Sequence, residues 1–73
     1  MTLADCKDGQ NLLIMGSSQN EINLQAIRFG INQGATVKVA KNITNGPVII
    51  LKNQLEIAIG RQLAKVIQVQ IIE

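Results

Sequence analysis

The sequence predicts a small, mainly β fold in which about five short strands make a partly open barrel, with one inserted α-helix and short helical turns. Three observations predict it. Apolar residues alternate or cluster in runs of strand length, each bounded by turn residues. Only the stretch from Ile22 to Ile31 carries its apolar side chains at helical spacing. The last apolar run is preceded by Gly60-Arg61-Gln62-Leu63-Ala64, which leaves room for a single helical turn before a closing strand. This order favours SH3-like topology, with an OB-fold as the competitor.

Thr2-Leu3-Ala4-Asp5 fits the [ST]-x-x-[DE] capping pattern, and Asp8-Gly9 follows as a turn, so one turn of helix is expected to cover an end of the barrel. Leu12 to Met15, ended by Gly16, reads as the first strand. Ser18-Gln19-Asn20-Glu21 repeats the capping pattern ahead of the helix, making Ser18 the expected N-cap and Glu21 its acid. Ile22, Ala26 and Phe29 then fall at i, i+4, i+7, with Leu24, Ile27 and Ile31 widening the inward stripe. Gly30 supplies the left-handed residue that ends the helix.

Ala35 to Lys41 alternates, with Val37 and Val39 inward and Thr36 and Lys38 outward. Asn45-Gly46-Pro47 predicts a turn, Gly46 for positive φ and Pro47 for its fixed φ. Val48 to Lys52 and Leu55 to Ile59 read as a hairpin around Asn53-Gln54. A two-residue loop sets Ile50 opposite Ile57 and Ile49 opposite Ala58. Gln54 suits a type I′ turn poorly, which leaves a longer loop open. Ile67 to Ile72 is the last strand, with Ile67, Val69 and Ile71 inward and Gln68 and Gln70 outward.

Seventy-three residues read as one domain, 1–73, with a core that must be aliphatic, because the chain is 47% hydrophobic but only 1% aromatic. That scarcity disfavours aromatic grooves for Pro-rich peptides, aromatic cages for methylated lysine and stacking platforms for single strands. A formal charge of +2, spread singly, gives little support to nucleic acid or anionic lipid as ligand. One cysteine, no signal peptide and no apolar run approaching a membrane span read as a soluble cytoplasmic chain that does not itself insert in a membrane.

Chemistry is sparse. The chain has no histidine, hence neither the commonest general base nor the commonest transition-metal ligand. Ser17 and Ser18 have no base partner, and no two carboxylates are expected to converge, so catalytic residues are none and an enzyme is not expected. Asp5, Cys6 and Asp8 form the only local group of possible ligands for iron(II) or zinc. Their spacing matches no established site; the preferred reading is no metal site and no cofactor, with Cys6 packed as a small hydrophobe. What remains is apolar surface. Ile49 and Leu51 face away from Ile50, and Ile72 away from Ile71, so these three are the candidate partner-binding residues, against the plainer reading that the helix covers them.

The order of short motifs carries further information. Leu-Ala-Asp-x-Lys-x-Gly-Gln (Leu3 to Gln10) precedes Phe29-Gly30-Ile31-x-x-Gly34-x-x-Val37-x-Val39. Gly46-Pro47-Val48 follows, and Ile57-Ala58-Ile59 leads into Arg61-x-x-Ala64-x-x-Ile67-x-Val69. Together they resemble the FeoA family, small cytoplasmic accessory proteins of bacterial ferrous iron transport, over essentially the whole chain. The resemblance makes Gly30, Gly34, Gly46, Pro47, Arg61 and Ala64 structural motif residues. It implies an SH3-like barrel that binds and modulates FeoB, a membrane permease with a cytoplasmic GTP-binding region; a homo-oligomer stays open. A similar domain ends some metal-dependent repressors of the diphtheria-toxin-repressor type. This chain has no helix-turn-helix, so the resemblance carries over only the isolated-domain role. Two departures stand out: Arg28 is the only base in the helix, and Cys6 stands where a Leu is usual.

Overall fold

The computed structural model describes residues 1–72. A 3₁₀ turn (Leu3–Asp5) leads to β1 (Asn11–Gly16) and α1 (Asn20–Arg28). Then come β2 (Thr36–Asn42), β3 (Val48–Lys52), β4 (Leu55–Ile59), the one-turn α2 (Arg61–Ala64) and β5 (Gln68–Ile71). The five strands form one antiparallel sheet in the order β4-β3-β2-β1-β5, so the first strand sits beside the last and the sheet does not close. This is the partly open SH3-like arrangement that the strand pattern predicts.

The core follows the alternation. Leu12 and Ile14 of β1, Val37 and Val39 of β2, Val48 and Ile50 of β3, Ile59 of β4 and Val69 of β5 are all buried on the concave face. Leu3, Ile31, Ala64 and Ile67 fill it from the turns between strands. Each fully buried Leu or Ile contributes about 1.5–3 kcal/mol against exposure, which explains how a core of small aliphatic side chains suffices here. Among the described residues, no buried side-chain nitrogen or oxygen lacks a hydrogen-bond partner.

Two bulges bend the sheet. Register shifts between Ile14 and Gly16 on β1, and between Val39 and Lys41 on β2, each leaving one extra residue on the bending strand. The outer edge of β5 is covered by the N-terminal residues: Leu3 N–H donates to the Ile67 carbonyl at 2.9 Å, and Val69 N–H to that of Met1 at 3.0 Å.

The β3–β4 loop is the two-residue Asn53-Gln54, not a longer one. Ile50 pairs with Ile57 and Ile49 with Ala58, the register expected from a tight turn. Asn53 takes φ 58° and Gln54 a negative φ, so the turn is not type I′ and makes no demand for glycine at Gln54.

The helix departs from its expected form at its N-terminus and along its face, and ends at Gly30 as the sequence predicts. Its N-cap is Gln19 rather than Ser18, which moves Glu21 one position too early for a capping box. Asn23 takes over the local satisfaction instead: its Oδ1 accepts from Ser17 N–H at 2.9 Å, and its Nδ2 donates to the Ser17 carbonyl at 2.8 Å. At the C-terminus, Ile31 N–H reaches the Ala26 carbonyl and Gly30 N–H that of Ile27, both at 2.9 Å. With Gly30 at φ 76° this is a Schellman motif, sealed by the buried Ala26 and Ile31. Within α1 only Ala26 is buried and Ile22 is half-buried. Leu24, Ile27 and Phe29 face solvent, because α1 offers the core only a narrow stripe at Ala26 and Ile22.

Candidate functional site

Two regions gather the residues that the sequence marks. The first is the convex face of the sheet. Since Val48 and Ile50 point into the core, Ile49 and Leu51 must point out, and both are half-buried there. Strand register sets Asn11, Lys38, Leu51 and Glu56 in one row across four strands, directly opposite one another in sequence of pairing. Ile72 joins the row at its far end, since its N–H donates to the Asn11 carbonyl at 3.0 Å. Leu51 and Ile72 thereby line one open cleft of about 360 Å³ with Asn11, Thr36, Lys38 and Asn53. Ile49 belongs to the neighbouring row, between Lys41 and Ala58.

Ala26 of α1 packs into the core cluster on the other side of the sheet, while on the convex side Ile49 and Leu51 are half-buried and Ile72 is exposed. The face has a further apolar member that sequence reasoning overlooked. Leu13, flanked by the inward Leu12 and Ile14, turns outward between Thr36 and Gln70. The strict alternation inside the run Leu12 to Met15 was the available signal. Lys38 and Lys41 flank the apolar residues on one strand and Glu56 stands at the end of its row, so the face is apolar with a mainly basic border.

The second region is built around Arg61. Its Nε donates to the Gly46 carbonyl at 2.9 Å, Nη1 to the Ala4 carbonyl at 3.3 Å and Nη2 to Asn42 Oδ1 at 2.7 Å. A further bond from Nη2 goes to the Ile43 carbonyl. Asn42 completes the junction: its Nδ2 donates to the carbonyls of Ala4 and Cys6 at 3.0 and 2.6 Å, and its N–H to Asp8 Oδ1 at 2.7 Å. Arg61 thus does more than open α2; it pins the β2–β3 loop and the N-terminal turn to the end of β4. No local signal could have revealed this, because its acceptors are mostly carbonyls from loops distant in sequence.

Asp5, Cys6 and Asp8 lie in the open cleft beside Arg61, but they do not act as a set. Asp5 Oδ2 accepts from Thr2 N–H at 2.8 Å and from the Thr2 hydroxyl at 3.1 Å. Those bonds hold its carboxyl below the ordinary carboxylate value. Asp8 is committed to Asn42 N–H. Cys6 is buried, with Sγ 3.5 Å from the Thr2 carbonyl; desolvation first, and the Asp5 charge second, push its thiol up, away from the thiolate that metal binding needs. Among the described residues, no three His, Cys, Asp or Glu side chains are arranged to hold a metal ion.

The remaining motif residues lie at turns or in the core. Gly30 and Gly34 take φ 76° and 93°. In the β2–β3 loop, however, the positive φ belongs to Asn45, at 60°, and not to Gly46. Gly46 is needed for space, since a Cβ there would lie 2.9 Å from Ile43 Cγ2. Pro47 follows it and accepts from Ile43 N–H at 3.2 Å, closing the loop ahead of β3. Ala64 is fully buried on α2, where a larger side chain would collide with the core.

The sequence matches the FeoA domain over residues 1–71. The chain belongs to the FeoA domain family. It is 39% identical over 69 residues to a protein of Methanocaldococcus jannaschii named "Putative Fe(2+) transport protein A", covering 93% of this chain and 83% of that one. Its fold is similar to the crystal structure of an iron uptake regulatory protein, FeoA, with TM-score 0.88 and 23% identity over 99% of this chain and 97% of the other. The FeoA protein of Chlorobium tepidum gives TM-score 0.82 and 21% identity, over 100% and 71%. ScaR with bound Cd²⁺ gives TM-score 0.83 and 17% identity, with 96% of this chain matching only 35% of that one. At these identities the structural matches establish the fold. Among the described residues, no helix of this chain is long and apolar enough to cross a membrane.

Proposed function

We propose that this FeoA-family chain is a non-enzymatic cytoplasmic accessory protein of ferrous iron transport, which contacts the GTP-binding region of a FeoB-type permease through the convex face of its sheet. The observation that carries the reading is the convergence of Leu51 and Ile72 on one open cleft, with Ile49 and Leu13 beside it. Family membership supplies the transport system, and the uncovered apolar face supplies a surface suited to a protein partner. With Lys38 and Lys41 at its border, the face suits a partner that offers apolar side chains rimmed by carboxylates.

The test is binding of the purified chain to the cognate permease's GTP-binding region, followed by calorimetry. The Ile49→Lys/Leu51→Glu double variant is expected to keep its fold, since both side chains lie outside the core, and to bind at least tenfold more weakly, about 1.4 kcal/mol. A folded double variant that binds as well as the wild type would remove this face from the interface. Failure of the wild type to bind at high micromolar concentration would sink the permease reading itself.

A further inference from the structure

The β3–β4 hairpin leaves one strand edge of the sheet open. The two-residue turn makes Lys52 and Leu55 a hydrogen-bonded pair, so Leu55, Ile57 and Ile59 direct their N–H and C=O groups toward β3. Glu56 and Ala58 must direct theirs the other way, and no described backbone group meets them. The opposite edge of the sheet is different, because β5 is covered by Met1 to Leu3. Beside the open edge, Phe29, Leu55 and Ile57 line an apolar groove of about 450 Å³, and Leu55 is the most exposed large apolar side chain, at 63%. Unpaired backbone and exposed apolar side chains therefore coincide. The edge carries none of the inward lysines, prolines or bulges that ordinarily blunt one; its single charge is Glu56.

We propose that this edge pairs with the same edge of a second copy, β4 against β4 in antiparallel, giving a two-fold dimer with one continuous sheet. The sequence of β4 selects that occupant and its register. With Ile57 facing Ile57 of the second copy, Glu56 and Ala58 face each other in both directions and exchange four backbone hydrogen bonds. Leu55 then stands in register with the second copy's Ile59, which is buried in its own core, so the apolar contact is Ile57 against Ile57, flanked by the two Leu55 side chains next to the Phe29 groove. A shift of one residue sets inward-bonding against outward-bonding positions. A shift of two one way stacks Glu56 on Glu56, which like charge disfavours; the other way it runs Leu55 into Arg61 at the start of α2. One register alone pairs all five residues of β4, and it obeys the self-complementarity that a two-fold interface requires.

The junction is small for an interface, so the dimer is a weak one, and the experiment is sedimentation equilibrium from about 1 µM to 1 mM. Ala58 is exposed and lies opposite the second copy's Glu56 in this register alone. Ala58→Lys is expected to tighten the dimer about fivefold, and Ala58→Glu to loosen it by about as much, through two symmetry-related cross-strand charge pairs. Amide exchange gives an independent readout on the wild type. Protection of Glu56 and Ala58 should rise with protein concentration, while that of Ile57, bonded within the hairpin, stays constant. A chain that is monomeric at 1 mM with both amides unprotected leaves the edge to a foreign strand and overturns the proposal. A dimer whose two Ala58 variants shift in the same direction, or not at all, overturns it as well.

Discussion

Arg61 reaches four oxygens with one side chain, on Ala4, Asn42, Ile43 and Gly46. A planar guanidinium can do this because its five donors point outward in a fixed fork, whereas an ammonium is a single point. Replacing Arg61 with Ala would strand part-buried carbonyls as well as remove charged hydrogen bonds, so a loss of about 2–3 kcal/mol is expected in urea unfolding. Arg61→Lys should recover less than half of that loss. Asp5 makes a second prediction at this scale. Its folded-state pKa is lowered from 3.8, with the Thr2 backbone N–H as the first cause. The stability it adds is present in full above the unfolded value and is lost as pH falls through the folded one. Asp5→Asn should therefore lower the melting temperature at about pH 6, and the gap to wild type should close toward about pH 2. Motif order singles out Arg61 in the sequence, and the capping pattern singles out Asp5. The sequence could not reveal what Arg61 holds, because the recipients are main-chain atoms brought near by folding.

At the scale of elements, strands were far more legible than the helix. Val37, Val39, Val48, Ile50 and Val69 each follow two-residue alternation, and a strand has only two faces to choose between. A helix has a continuous range of faces, and α1 buries a narrower arc than its apolar residues suggest; Leu24, Ile27 and Phe29 were placed inward and lie outside. The β3–β4 turn offers a test of why a short loop suffices. Asn53 holds φ 58°, a region that Asn and Gly enter readily and other side chains resist. Asn53→Ala is expected to cost about 1 kcal/mol while Asn53→Gly is nearly neutral, read from chemical denaturation. Equal losses in both would mean that the Asn53 side chain, not its backbone, holds the turn.

For the whole molecule, a concave face carries the core and a convex face carries the surface proposed for a partner. The same alternation that buries Val48 and Ile50 turns the half-buried Ile49 and Leu51 to the other face, so a double substitution on the convex side can test binding without opening the core. Ile49, Leu51 and Ile72 were legible from parity alone. Their assembly into one face with Leu13, Lys38 and Asn11 was not, since it depends on strand order and register, which pair β1 with β2 and β5 across long stretches of chain.

The pairing of β1 with β5, and of Leu3 with Ile67, also governs the order in which this domain can close. Until β5 docks, Leu12 and Ile14 lack one side of their packing. The two halves of the β2–β3–β4 meander can zip locally, but the enclosing step joins the extremes of the chain and carries the full cost of closing that loop. With β5 undocked, the remaining sheet has β4 and β1 both open as edges.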